Sequence, residues 1–231
     1  MINGDLILLS TGCSGLQPVE TNSSKSNALS TNGGSDTILC WNTTLTTPTG
    51  HVTVADYKTW HAEGEPGKAR IAKFFRERMR ERYIVPVMAL NSDEKNGFSI
   101  MAQSCLLIET FETFHQGWPS SDNKSALAFR RFFDREDLFR NFRGHAQPFF
   151  KNVRCGILHQ GETTGGGQIT RESGEPLFDQ DTRTVHATKF HALLAKVIDR
   201  YRDELKTKPL TDEIWTRFTT KMSATIRNCE P

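Results

Sequence analysis

The stretch FFKNVRCGILHQG, residues 149–161, predicts the helix around which the rest of the chain is organised. Its apolar residues recur at helical spacing and form one buried side: Phe149, Phe150, Val153 and Ile157. A proline precedes the run, where a helix tolerates it best, and the final glycine is a C-terminal stop signal. The last two turns also hold Arg154 and His159, and we expect this pair to carry the chemistry.

An arginine followed five residues later by a histidine is a common spacing in a chain with this many arginines. A second pair, Arg140 and His145, has it too. Arg140 and His145 lie in a polar connector that contains a glycine, where a rigid helix is not expected. The apolar side of the first helix, in contrast, fixes Arg154 and His159. The alternative interpretation of Arg154 and His159 is a helix-end cap and a surface ion pair.

The composition excludes several classes of protein. The 231 residues carry 29 Lys and Arg against 27 Asp and Glu, a net charge of +2, so any nucleic-acid site has to come from local clustering. The five cysteines are scattered without a Cys-x-x-Cys pair, and no residues have metal-ligand spacing, so we expect no metal or other cofactor. No apolar run approaches the roughly 18 residues of a membrane span. The run at 6–9 is too short for a signal peptide, which indicates a cytoplasmic protein without membrane contact.

The start of the chain differs in composition from the rest. Residues 1–51 are rich in Ser, Thr, Asn and Gly and poor in charge, which predicts an irregular N-terminal extension. Within it we expect disorder over 17–36, and apolar runs at 6–9 and 37–41 that form short edge strands or pack loosely on the body. Residues 52–231 are expected to form the body.

Apolar periodicity in the body predicts an all-α helical bundle. We expect helices over 54–62, from 68 to a kink or end at Pro86, and over 97–116, 124–136, 149–160, 187–205 and 211–227. Ser121-Asp122 and Thr211 are the expected N-caps of the fourth and last of these. The Gly- and Thr-rich segment 162–185 predicts a small β-hairpin insertion, with strands on either side of Gly174.

Arginines crowd the outer faces of the helix that begins at residue 68, with only Glu77 and Glu81 among them. One interpretation is a solvated basic face, and the other is a surface that follows RNA phosphates. The candidates for RNA binding are Arg76, Arg80, Arg140 and Arg143. Glu109 is the one charge in the densest apolar part of the 97–116 helix. It is either a paired structural carboxylate or an acidic group at the edge of a site.

Geometry limits what Arg154 and His159 can do together. In a regular α-helix, residues five apart point about 140° away from each other. The two side chains are therefore not expected to meet within one helix. They would line one cleft if two copies of the helix faced each other around a twofold axis.

The motif RCGILH on a bundle helix resembles the HEPN family (higher eukaryotes and prokaryotes nucleotide-binding), whose ribonuclease motif is Arg followed four to six residues later by His. The resemblance implies an all-α, HEPN-like bundle that forms a homodimer and cleaves RNA without a metal ion. It also implies a role in anti-phage defence, abortive infection or toxin–antitoxin growth arrest, with an antitoxin or sensor as a possible partner. Arg154 and His159 match the two motif positions.

The chemistry implied by the resemblance suits these residue types. Histidine acts as an acid or a base near neutral pH, and arginine matches the oxygens of a phosphorane. Lys151 is a candidate for binding the RNA backbone, and Glu109 for an acidic partner from the neighbouring helix. Cys155 stands where the family often has Asn, Asp or His. The polar contact that this position provides in the family is therefore not expected in the same form here.

Two other functions remain open at the level of sequence. The first is a non-catalytic HEPN-like bundle that binds a nucleotide, a nucleic acid or a protein partner. The second is an adaptor whose Ser- and Thr-rich N-terminus docks a partner.

Overall fold

A computed structural model describes residues 37–41, 43–90 and 94–229, and most of these are helical. They belong to one compact unit. The apolar run at 6–9 and the disorder expected over 17–36 lie outside the described residues.

Helices account for most of the described chain. The α-helices are α1 (Val54–Ala62), α2 (Glu65–Met79), α3 (Val85–Met88), α4 (Gly97–Gln116), α5 (Ser125–Arg135), α6 (Ala146–Phe149), α7 (Gly156–Gln160), α8 (Ala187–Thr207) and α9 (Glu213–Arg227). Two turns of π-helix join neighbouring α-helices, the first π turn (Arg80–Ile84) and the second π turn (Phe150–Cys155). A 3-10 helix follows α5 (Asp137–Phe142). The predicted mainly helical fold is confirmed, and the bounds of α1 and α4 agree with those predicted.

The core is built around α4, which packs against α5, α8 and α9, while α2 packs against α8. Aromatic rings fill the space between these helices: Phe75, Phe111, Phe114, Tyr201 and Phe218 are all buried. They meet mostly edge to face, with ring centroids 5.1 to 5.8 Å apart for Phe75 and its partners. Fully burying one such side chain stabilises a fold by roughly 1.5–3 kcal/mol. α4 is therefore held on several sides, which fixes the position of any polar group that it carries.

Pro86 does not end the helix that contains it. The chain continues through the first π turn into α3 and stops at Met88. A proline inside an α-helix lacks one N–H and clashes with the carbonyl four residues earlier. Here the Val85 N–H bonds to the Arg80 carbonyl, five residues back, so the wider turn relieves the crowding just before Pro86.

The insertion is not the predicted hairpin. Strands β3 (Gln168–Thr170) and β4 (Phe178–Asp179) do not pair across Gly174. Each pairs instead with β5 (Thr184–His186), β3 in parallel and β4 antiparallel, in the order β3-β5-β4. β5 lies in the middle because it leads directly into α8 and buries Val185 and His186.

Two predicted helix caps were also wrong. α5 begins after Lys124, and Asp122 accepts a hydrogen bond from the Ser120 hydroxyl at 2.7 Å instead of capping the helix. α9 is capped by Asp212 rather than by Thr211, since the Asp212 side chain accepts from the Ile214 N–H at 3.0 Å. In both cases the sequence offers several capping residues in a row, and only the path of the incoming chain selects one.

The segment before residue 52 is attached to the bundle. Strand β1 (Ile38–Cys40) pairs antiparallel with β2 (Val52–Thr53) and buries Leu39 and Cys40. Glu77 accepts hydrogen bonds from the hydroxyls of Thr43 and Thr44. Glu81 accepts from the Trp41 N–H at 2.9 Å. The two acidic residues of the arginine-rich helix thus hold the N-terminal segment.

Candidate active site

The second π turn carries Arg154, and α7, which follows without a break, carries His159. This helical segment begins at Ala146, three residues before the predicted start, and it packs against α4. Gly156 lets the returning chain pack against another side of this helical segment. The chain folds back over it, and a Cβ atom there would overlap the carbonyl oxygen of Glu162. The helix is therefore fixed on both sides of the Arg154 position.

Arg154 connects two other polar side chains. Its Nε donates a hydrogen bond to Glu109 Oε1 at 2.6 Å, and its Nη1 lies 3.1 Å from His159 Nε2. The second oxygen of Glu109 accepts from the Ser125 hydroxyl at 2.6 Å. Together they form a continuous chain, Ser125–Glu109–Arg154–His159, that runs from α5 through α4 to the end of α7. We call it the Glu–Arg–His chain.

The expectation that Arg154 and His159 cannot meet within one helix was wrong. It assumed 3.6 residues per turn throughout. Arg154 lies near the end of the second π turn, and its long side chain reaches the His159 ring across the α-helical turn that follows. The contact therefore forms inside one chain and needs no second copy.

Burial and charge hold the arginine in its protonated state. The Glu109 side chain is 8% exposed and that of Arg154 is 16% exposed. Burial alone lowers the pKa of the guanidinium, but the hydrogen bond and charge of Glu109 outweigh it, so the pKa of Arg154 is raised. The Cys155 thiol contributes a smaller effect in the same direction. The ring of Phe150 also lies 5.6 Å from the guanidinium carbon, as in a cation–π contact.

The contact between Arg154 and His159 defines the hydrogen-bonding role of the imidazole. A guanidinium has only donors, so His159 Nε2 must be the acceptor and carries no proton in this arrangement. His159 is exposed, whereas the carboxylate and the arginine behind it are largely buried. In this arrangement the Nε2 lone pair is occupied by the Arg154 guanidinium, so it can accept another proton only after the guanidinium turns away.

The other predicted residues lie in different places. Lys151 is exposed on the second π turn, and Cys155 is half-buried next to Arg154. Arg140 is exposed on the 3-10 helix, and His145 packs edge-on against Phe178 with centroids 5.3 Å apart. This second pair thus spans the end of the 3-10 helix and the residue before α6.

The remaining RNA-binding candidates have other partners. Arg76 forms an ion pair with Asp199 on α8, and Arg143 forms one with Asp137 at 2.6 Å. Arg80 lines a separate groove beside α8. No contact within the described ranges joins any of these arginines to the Glu–Arg–His chain.

The structure contains a second charged cluster that sequence reasoning missed. Arg135 of α5 pairs with both Glu112 and Glu136, and Glu136 also pairs with Arg200. Burial and the nearby arginines lower the pKa of His115, beside Arg135, to about 3. Burial also raises the pKa of Glu112. Each carboxylate of this cluster is paired with an arginine, so its role is to join α4, α5 and α8.

Residues that support the site were also missed. Ser125 was absent from the sequence reasoning because the helix cap was expected at Ser121-Asp122, and Gly156 because nothing local indicates the returning loop. The spacing of Glu109, Glu112 and His115 along α4 was visible in the sequence, but it did not indicate which arginine each one meets.

The described part of the chain contains no group of three or more residues arranged to hold a metal ion. Among the helices described, none combines the length and the apolar character needed to cross a membrane. Comparison with protein-family models, with curated proteins and with solved structures found no match. The chemistry of the site has to be inferred from its own geometry.

Proposed function

We propose that this protein is a metal-independent endoribonuclease of HEPN type, in which Arg154 and His159 act on the RNA backbone. The observation that supports this best is the Glu–Arg–His chain, which places an unprotonated imidazole nitrogen 3.1 Å from a guanidinium fixed by a buried carboxylate. Arg135 makes similar contacts with Glu112 and His115, but His115 is half-buried, whereas His159 is exposed and can meet a substrate. The biological setting that we propose is the cytoplasm, in anti-phage defence or growth arrest.

The chemistry follows from the donors and acceptors of the three side chains. His159 Nε2 takes the proton of a ribose 2′-OH, and the 2′-oxygen attacks the adjacent phosphorus. Arg154 turns its Nη1 donor from the imidazole to a phosphate oxygen and stabilises the charge of the phosphorane. Glu109 keeps the guanidinium in place. The 5′-oxygen leaves with a proton, which gives a 2′,3′-cyclic phosphate and a 5′-hydroxyl.

The leaving 5′-oxygen needs a proton donor, and a single copy of the chain offers only one histidine in the Glu–Arg–His chain. We propose that a second copy supplies the other, in a homodimer that faces two His159 side chains across one cleft. Two exposed apolar side chains on α4, Phe98 and Leu106, support this arrangement, and Leu106 is one turn from Glu109.

The test is RNA cleavage in the presence of EDTA, with wild type compared with Arg154→Ala and His159→Ala. We expect wild-type cleavage to persist in EDTA, to yield 2′,3′-cyclic phosphate ends, and to fall at least about a hundredfold in each variant, since general acid–base catalysis alone contributes about 10²–10⁴-fold. The matched control is His145→Ala, which removes the histidine of the other pair of the same spacing and should leave the rate unchanged. Cleavage that survives both site substitutions, or that stops in EDTA, rejects the proposal.

A further inference from the structure

A second concave surface lies away from the Glu–Arg–His chain, between the first π turn, α3, the start of α4 and α8. Its volume is about 440 Å³, within the range of small-molecule sites. Its apolar lining residues include Ile84, Val87, Met88, Leu90, Ile100 and Ala192. We call it the α3–α8 groove. No residue of the Glu–Arg–His chain lines it.

The apolar surface continues beyond the groove. Met88 is 68% exposed and Val85 is 49% exposed, and Leu90 beside them is also exposed. Large apolar side chains grouped in this way on a protein surface mark binding sites more often than scattered ones do. The groove and its edge together offer a place for a hydrocarbon chain.

Two arginines line the groove, and no acidic side chain of the described residues does. Arg171 donates through Nη1 to the Asn96 side chain at 2.6 Å and to the Glu94 carbonyl at 2.5 Å, and through Nε to the Thr188 hydroxyl at 3.3 Å. Its Nη2 has no hydrogen-bond partner among the described residues. The Arg80 side chain makes no ion pair or hydrogen bond with the described residues. Among the described residues, the charge of the lining is therefore positive and has no acidic side chain in the groove to neutralise it.

His191 adds a polar group to the same lining. The Ser104 hydroxyl donates to the Ile100 carbonyl at 2.7 Å, so it accepts from His191 Nδ1 at 3.0 Å, and Nε2 is the acceptor side of the ring. Nε2 is buried and has no hydrogen-bond partner among the described residues. The Ile84 carbonyl favours the charged ring, but it makes no hydrogen bond of ordinary geometry with it. Burial lowers the pKa of His191 to about 4, so the ring is neutral and adds no charge.

We propose that the α3–α8 groove binds a small amphipathic anion, with its carboxylate on Arg80 and Arg171 and its hydrocarbon chain against Met88 and Ala192. The apolar lining excludes a strongly hydrated ligand such as free phosphate, and the two guanidinium groups exclude a cation. A medium-chain carboxylate satisfies both conditions. The site does not depend on the ribonuclease activity, so the two proposals can fail separately.

The test is calorimetric titration of the full chain with decanoate at pH 7.5, below the concentration at which decanoate forms micelles. We expect saturable binding with one ligand per chain. Decyltrimethylammonium, which has the same chain length and the opposite charge, should not bind. In a protein labelled at the methionine methyl groups, the Met88 signal should shift during the titration.

Two variants locate the ligand. Arg80→Gln removes a side chain that bonds to no described residue, so folding should be unaffected and the affinity should fall about tenfold. Ala192→Trp fills the groove from α8 and should abolish binding, with folding checked by circular dichroism. Arg140→Gln, at an exposed arginine of the connector, should bind decanoate as wild type does. The proposal is overturned if decanoate does not saturate, if the cation binds equally well, or if Arg80→Gln binds like wild type.

Discussion

Arg154 donates to Glu109 and to His159 at the same time, and this double contact determines how the site depends on charge. A hydrogen bond to a charged partner contributes about 1.5–3 kcal/mol, roughly twice a neutral one. Glu109 is buried, so water does not replace it when it is changed. The orientation of the guanidinium therefore depends on a residue that never touches RNA in the proposed reaction.

Glu109→Gln keeps the size of the side chain and removes its charge. We expect the rate of RNA cleavage to fall about ten- to hundredfold, because Arg154 loses a charge-assisted hydrogen bond worth about 1.5–3 kcal/mol. Ser125→Ala, which removes the hydrogen bond to the other oxygen of Glu109, should reduce the rate less than tenfold. Single-turnover cleavage assays compare the two. A Glu109→Gln rate within twofold of wild type would show that the carboxylate only stabilises the fold.

The protonation of His191 makes the free energy of unfolding depend on pH, and His191 lies outside the Glu–Arg–His chain. Its pKa is about 4 in the folded protein, against about 6.5 for an unperturbed histidine. The unfolded chain therefore takes up the proton first as the pH falls. The free energy of unfolding should drop by about 1.4 kcal/mol for this residue between pH 7.5 and 5.5.

The measurement is urea unfolding of wild type and His191→Leu at pH 7.5 and at 5.5. Leucine does not titrate, and Ser104 keeps its bond to the Ile100 carbonyl in the variant. The pKa values of His115 and His186 are also lowered. Both residues are present in both proteins, so their contributions to the pH dependence cancel in the comparison. The loss on acidification should be smaller in the variant by about 1.4 kcal/mol. Equal losses would mean that His191 is protonated in the native state.

At the scale of elements, the second π turn and Gly156 act together. The turn carries Arg154, and Gly156, directly after it, lets the segment 162–164 pack against α7. A side chain at this position would push the returning loop and the helix apart. The geometry of the Glu–Arg–His chain thus depends on a residue with no polar group of its own.

Gly156→Ala tests this dependence. The added methyl group overlaps backbone atoms, so we expect a loss of about 1–3 kcal/mol in the free energy of unfolding. Cleavage should be reduced further than the unfolded fraction explains. Gln160→Ala, at an exposed position of the same helix, should change the stability by less than about 0.5 kcal/mol. Denaturant unfolding and cleavage rates are measured on both, and a Gly156→Ala protein with wild-type stability would contradict the packing described here.

The sequence predicts best those features that depend on residues close together along the chain. α1 has a capping box at Thr53 and Asp56, and α4 has a glycine in the left-handed region at its end, so their bounds followed from local patterns. The π turns and the strand order did not follow. A 3.6-residue period was assumed through Arg154, and the pairing of β3 with β5 links segments that no local signal connects. Glu109 could be identified as an unusual charge, but its partner depends on how α4 packs against the second π turn.

At the scale of the whole molecule, the proposed homodimer predicts that the exposed side of α4 is covered in solution. Leu106 is 40% exposed and lies one turn from Glu109. Leu138, on the 3-10 helix, is 39% exposed, which makes it a matched control. A charge introduced at an apolar interface is buried without a partner on association, which opposes dimer formation. The same charge on a free surface is solvated and has little effect.

We therefore expect Leu106→Glu to be monomeric in sedimentation experiments at concentrations where wild type is a dimer, and to lose most of its RNA cleavage. Its free energy of unfolding as a monomer should differ little from that of the control. Leu138→Glu should remain dimeric and active. Because Arg154 and His159 already meet within one chain, a dimer is needed only for the second proton transfer. A wild-type monomer with a cleavage rate per chain that does not change with protein concentration would remove the dimer from the mechanism and leave His159 to act as base and acid in turn.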